Sequence, residues 1–229
     1  MVRVGLVALL ATALLSAGAG AGQPAGTAAD VPVLNGKFKP RTDSLVLAAR
    51  DLGGSPRIRF LIDKDIRFNK RGIGTCVADD IARATTRRAR RKCRDALIGR
   101  GLLAFDPAGE SGRASVQGAA SSVDEAVSIF REGGPRLLIH AYNPDYGAFV
   151  FLGYLIHNAQ GRRFGTTVDF RLPDLGEILK YKVELSHPFD KRKLVRMREC
   201  IDRWLHFRLV LDYEATMRRF VQNKSRCRD

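Results

Sequence analysis

Arg203-Trp204-Leu205-His206-Phe207-Arg208-Leu209-Val210-Leu211-Asp212-Tyr213 alternates along its length: Leu205, Phe207, Leu209, Leu211 and Tyr213 take every second place, with Trp204, His206, Arg208 and Asp212 between them. Successive side chains of a strand point to opposite faces, so a period of two describes an antiparallel strand with one dry and one wet face. The same pattern runs through 178–187, where Leu179, Tyr181, Val183 and Leu185 alternate with Lys180, Lys182 and Glu184. Working outward, residues 148–157, 166–172, 194–201 and 215–222 read as further strands. Turns fall at Gln160-Gly161, Pro173-Asp174-Leu175-Gly176 and Pro188 to Lys191. Short strands at this spacing predict a mainly β fold, an antiparallel β-sandwich or an open-barrel-like sheet.

Towards the N-terminus the same rules give strands at 45–51 and 57–63, joined through Asp51-Leu52-Gly53-Gly54-Ser55. A hairpin is expected from Val127 to Arg131 and Leu137 to Tyr142 around Glu132-Gly133-Gly134-Pro135. Ser122-Val123-Asp124-Glu125 competes with it, because this spacing is a capping box and would start a helix. The strand reading is preferred on Val127, Ile129 and the glycine pair. One interrupted helical segment is expected at about 77–98. Asp79 and Asp80 stand at its start and arginines towards its end, the charge order that suits a helix dipole. Gly99 or Gly101 would stop it. Residues 106–120, rich in Gly, Ala and Ser, read as a surface loop. No internal repeat is found.

Met1-Val2-Arg3, the apolar run Val4–Ser16 and the small residues Ala17 to Gly22 have the layout of an export signal. The apolar run covers 13 residues, short of the roughly 20 needed to cross a membrane. The expected organisation is therefore a signal peptide at 1–21, a flexible linker at 22–41 rich in Ala, Gly and Pro, and one β-rich domain at 42–229. The expected location is secreted or extracytoplasmic, in contact with the envelope, with no transmembrane segment once the signal is cleaved.

Four cysteines, Cys76, Cys93, Cys200 and Cys227, suit an oxidising compartment. Of three possible pairings, Cys76 with Cys93 and Cys200 with Cys227 join neighbours in sequence and bracket plausible supersecondary units. An unbroken helix from Cys76 to Cys93 would hold them roughly 25 Å apart, against about 6 Å between the Cα atoms of a disulfide. A break is therefore required, and Thr85-Thr86 is its expected place. The competing zinc reading finds no Cys-x-x-Cys and no histidine within four residues of a cysteine. Metal and cofactor are accordingly not expected.

Phe60-Leu61-Ile62-Asp63-Lys64-Asp65 leading to Gly72 and Cys76, the run Arg91-Lys92-Cys93-Arg94-Asp95-Ala96-Leu97-Ile98-Gly99-Arg100-Gly101, Leu137-Leu138-Ile139-His140-Ala141-Tyr142, and the terminal stretch with Cys200 and Cys227 occur in that order. In these pieces, covering most of 38–229, the chain resembles an uncharacterised family of secreted β-rich proteins from high-GC Gram-positive (actinobacterial) genomes. It departs from the family pattern around Leu172 to Ile178 and in 202–226. The resemblance implies secretion and a β-rich fold and carries over no catalytic residue.

The chain of 229 residues holds 39 Lys and Arg against 24 Asp and Glu, a net charge of +15, with 45% hydrophobic residues. That composition excludes wholesale disorder and a polytopic helical membrane protein. The densest basic stretch includes Arg87, Arg88, Arg90, Arg91 and Lys92, which on a helix would wrap most of its circumference and could engage phosphate or carboxylate groups. The structural alternative is a solvated helix face. Acidic envelope polymers such as teichoic-type phosphates, or anionic surfaces, fit as partners better than nucleic acid, because export and the lack of nearby aromatic stacking residues weigh against the latter.

Catalytic residues are not expected. His140 and Asp145 are the weak pair a hydrolase would use, against a structural role for His140 in an apolar strand. Gly109-Glu110-Ser111-Gly112-Arg113 lacks one glycine of a nucleophile elbow. Asp63, Asp65 and Asn69 resemble a calcium-loop fragment crowded by Lys64, Arg67 and Lys70. The leading expectation is a secreted, non-enzymatic structural or binding domain at the cell envelope. The alternatives are an extracellular hydrolase of polysaccharide or phosphoester, and a partner-binding or inhibitor module using a strand edge.

Overall fold

The computed structural model describes residues 31–52, 54, 56–106, 123–157, 163–173, 177–187, 193–200, 202–213 and 217–227. The export signal, the first part of the linker, most of the 106–120 loop with its Gly109–Arg113 motif, Ser122 of the capping box, and the centres of the three turns after residue 157 lie outside them.

The strands are β1 (Val33–Lys39), β2 (Ser44–Arg50), β3 (Arg57–Asp63), β4 (Ile66–Phe68), β5 (Leu97–Asp106), β6 (Val123–Gly133), β7 (Arg136–Asn143), β8 (Gly147–Ile156), β9 (Phe164–Phe170), β10 (Glu177–Leu185), β11 (Val195–Met197), β12 (Trp204–Tyr213) and β13 (Met217–Arg226). Two short helices, α1 (Ala78–Ile81) and α2 (Thr86–Lys92), precede β5. Eleven strands form one antiparallel sheet in the order β1-β2-β10-β5-β6-β7-β8-β9-β3-β12-β13, and β4 pairs with β11 beside it. The sheet curls until its two ends lie against each other, the Gly36 amide donating to Asn223 Oδ1 at 3.4 Å. The β fold expected from the alternating segments is thus an open barrel, and not a two-sheet sandwich.

Inward residues of the long strands other than β13 fill the barrel, with Val221 of β13 packed partly buried against them, and the expected alternation in β12 holds, with Leu205, Phe207, Leu209 and Leu211 buried. Phe60, Phe170 and Tyr181 meet at its centre, with ring centroids 5.0 Å apart for Phe170 and Tyr181 and 6.1 Å for Phe60 and Phe170. Burial raises the Tyr181 phenol well above its ordinary pKa. A second apolar layer lies outside the barrel, where Cys76, Ile81, Ala84, Ala89 and Cys93 cover Phe130 and Leu138.

Four expectations need correction. Residues 33–39 of the supposed linker are β1, an end strand of the sheet. Leu34 and Phe38 do point inward, but the inward position between them is Gly36, where a Cβ would stand 2.3 Å from Phe207 Cγ. The missing side chain is what hides the period of two.

The helical segment does not run to residue 98. It ends in a 3-10 turn at Arg94–Ala96, and Leu97 already begins β5. Gly99 and Gly101 are therefore not helix stops. They lie inside β5 where β10 comes too close for a side chain, a Cβ on Gly101 falling 2.1 Å from the Lys182 carbonyl oxygen.

In β10 the pairing with β5 slips between Ile178 and Lys180, so Ile178 takes the inward place expected of Leu179. The competing capping-box helix at 122–125 is not formed, since Val123 onward is strand β6, continuous to Gly133.

Candidate anion-binding surfaces

The break required by the first disulfide is where the threonines stand. Thr85 has extended backbone and its hydroxyl accepts from the Arg88 amide at 3.4 Å, so it caps α2 after α1 has ended at Ile81. Cys76 and Cys93 are then brought to a Cα separation of 5.4 Å and bonded, and Cys200 is bonded to Cys227. Lys92 Nζ, 2.8 Å from Asp80 Oδ1, ties α2 back to α1.

This folded pair sorts the basic residues. Ala89 and Cys93 face the barrel, while Arg87, Arg88 and Arg91 face solvent with no ion pair among the described residues. Arg90 turns inward: its Nε donates to Ser128 Oγ at 2.8 Å, and burial lowers its pKa from the ordinary arginine value. Of the five residues expected to bind anions, Arg87, Arg88 and Arg91 therefore form an open cluster. Arg90 pins the helix to β6, and Lys92 is committed to Asp80.

His140 lies directly beneath. It pairs in register with Ser128, is 0% exposed, and its Nε2–H donates to the Ala84 carbonyl at 2.8 Å. Its Nδ1 makes no hydrogen bond among the described residues. Asp145 is exposed at the tip of the β7–β8 turn, where its amide and that of Tyr146 donate to Asn143 Oδ1. Among the described residues no hydrogen bond joins His140 to Asp145, so the structure does not bring this pair together. The turn between α1 and α2 covers the imidazole and supplies the Ala84 carbonyl it bonds.

Burial holds the His140 pKa below its ordinary value, with the Ala84 hydrogen bond opposing and the Arg90 charge adding to the effect. A histidine depressed in the folded state takes up protons more readily when unfolded, so its contribution to stability is complete above the ordinary histidine range. That contribution is lost as the pH falls through this range towards the lower folded-state value. Thermal stability is therefore expected to decline between about pH 7 and pH 5. His157 is lowered as well, chiefly by burial, and acts in the same direction. A His140→Gln variant should show a shallower decline in melting temperature over that interval than the unaltered protein; equal slopes would remove His140 from the account.

Asp63 holds no calcium-type geometry. Its two carboxylate oxygens accept from the amides of Asp65 and His206 at 3.0 and 2.9 Å, which joins β3 to the start of β12. Among the described residues no three His, Cys, Asp or Glu side chains are grouped to hold a metal ion.

A second basic surface went unseen in the sequence. On the outer face of β12 and β13 the rungs are Trp204 with Arg226, His206 with Lys224, Arg208 with Gln222, Val210 with Phe220, and Asp212 with Arg218. Lys224 Nζ stands 4.7 Å from the centre of the Trp204 ring and Arg226 Cζ 5.6 Å from it. The alternation of Arg218, Phe220, Gln222, Lys224 and Arg226 carries its signal, and the strand runs on to Arg226, past the expected end at 222. Compared with family profiles, curated proteins and solved structures, the chain matches none.

Proposed function

We propose that the protein is exported and works outside the cytoplasm as a non-enzymatic binding domain for acidic envelope polymers. The observation that carries this reading is the trio Arg87, Arg88 and Arg91, exposed on a helix that a disulfide and the Arg90 anchor tie down, with no ion pair of its own among the described residues. Guanidinium groups suit phosphate and carboxylate, and a preformed cluster loses little freedom on binding them. Two disulfides fit an oxidising location. Among the described residues no helix is long and apolar enough to cross a membrane.

The purified chain without residues 1–21 is expected to be retained on isolated cell wall at low salt and released as ionic strength rises, because exposed charges lose their reach beyond about 10 Å at 0.1 M. Changing Arg87, Arg88 and Arg91 together to Gln should weaken retention about tenfold, in line with loss of three phosphate contacts. Retention indifferent to both salt and these substitutions would refute the proposal.

A further inference from the structure

The outer face of β3, β12 and β13 carries six cations, Arg57, Arg59, Arg208, Arg218, Lys224 and Arg226, but they are not equivalent. Arg57 is bonded to the buried carboxylate of Asp169, and Arg59 and Arg218 share Asp212 at 2.7 and 2.6 Å. At this end of the face two carboxylates offset most of the charge of three cations. Arg208, Lys224 and Arg226 have no carboxylate partner among the described residues.

These three sit on three successive rungs, 208 with 222, 206 with 224, and 204 with 226. Outward positions two residues apart along a strand are separated by about 7 Å. The unneutralised charge is therefore a short track, with Lys224 and Arg226 two residues apart on β13 and Arg208 across the ladder on β12, and it is stiff. Stiffness comes from two sources. Cys200–Cys227 closes the end of the β12–β13 ribbon, where the Cys227 amide also donates to the Arg203 carbonyl at 3.3 Å. Aromatic rings hold the cations in place, with Trp204 under Lys224 and Arg226, and Phe164 and Phe220 each within 5.9 Å of the Arg208 guanidinium.

We infer that these cations form a binding track for a linear phosphodiester polymer lacking stacking groups, of the glycerol-phosphate kind, which runs along β13 and places successive phosphates on successive rungs. Charge complementarity selects a polyanion, and the succession of rungs selects an extended one. The rings already have cations against them, so they orient charge and do not serve as platforms for bases, as a site for single-stranded nucleic acid would require. A membrane surface fits less well, because Phe220, at 67% exposure, is the one large apolar side chain standing out from these three strands' outer face among the described residues, and interfacial binding needs an apolar face. The inference rests on the proposed acidic-polymer function, and names for it a second location and a polymer class.

The test measures binding of the oxidised chain without residues 1–21 to poly(glycerol phosphate), to single-stranded DNA of the same phosphate number and to anionic phospholipid vesicles, each across a salt series. Poly(glycerol phosphate) is expected to bind at least as tightly as the DNA and more tightly than vesicles of equal charge. Lys224→Gln with Arg226→Gln should lower that affinity about tenfold and reduce the magnitude of the log K against log salt slope by about 1.4. Lys224→Arg with Arg226→Lys, which keeps the charges, should restore both. Trp204→Leu should cost only about two- to threefold with an unchanged slope, since it loosens the cations without removing them.

A paired Gln variant that binds as the unaltered chain, tighter binding to DNA that Trp204→Leu abolishes, or preference for vesicles would each overturn the inference. If the Arg87, Arg88 and Arg91 variant alone loses the polymer, the proposed function stands and the β13 track falls; if the unaltered chain binds no polyanion, both fall. All the altered side chains are at least partly exposed, and an unchanged melting temperature checks that each variant folds.

Discussion

Gly101→Ala is expected to lower the stability of the protein by about 3 kcal/mol or more, the upper range for overpacking a closed core. The added methyl would stand 2.1 Å from the Lys182 carbonyl oxygen and 2.9 Å from Val183 Cγ1. The first of these is backbone, so no rotamer change makes room. β10 would have to move away from β5, and β10 is an interior strand that also pairs with β2 and places Tyr181 and Val183 in the core. A comparison with Gly134→Ala separates this cause from the ordinary flexibility of glycine. Gly134 has φ +51° and open space around its Cβ position, so the substitution should cost only about 1–2 kcal/mol, the penalty of a left-handed backbone. Chemical denaturation of the two variants supplies the numbers. Equal losses would show that close strand approach is not what excludes a side chain at 101.

Removing the Cys200–Cys227 bond by changing both cysteines to Ser should cost about 3.5 kcal/mol, the chain-entropy value for a loop of this length. The bond closes a sequence separation of 27 residues, against 17 for Cys76–Cys93, whose removal should cost about 3 kcal/mol. The two variants are expected to differ in a second respect. Cys200–Cys227 holds the end of the β12–β13 ribbon that carries Trp204 and Arg226, whereas Cys76–Cys93 holds the helix that carries Arg87, Arg88 and Arg91. Each deletion should therefore impair binding at its own basic surface while sparing the other, under conditions where both variants remain folded. Melting curves together with polymer binding check this, and a symmetric loss of both surfaces would mean that the bonds act only through global stability.

Much of this architecture could be read from local pattern. Alternation at Leu205, Phe207, Leu209 and Leu211 identified β12, and the need to bring Cys76 to Cys93 demanded a helix break that falls beside Thr85. Where local pattern and structure differ, the cause is a group distant in sequence. Gly36, Gly99 and Gly101 read locally as signs of a linker or a helix stop, the ordinary meanings of glycine, but each is vacant because another strand or side chain occupies the space of its Cβ. Leu179 was placed inward because a bulge at 178–180 depends on the partner strand β5. The basic helix looked uniform because sequence cannot show that Ser128 and Asp80 wait for Arg90 and Lys92.

Sequence alone determined that this chain makes half-buried antiparallel strands, and where its four cysteines can meet, because side-chain direction in a strand and the reach of a short loop are set by near neighbours. Tertiary structure decided how far the sheet curls, which brings β1 against β13, and whether His140 is reached by solvent. It also decided which arginines stay unneutralised, because each of these depends on groups that are distant along the chain and adjacent only after the barrel has formed.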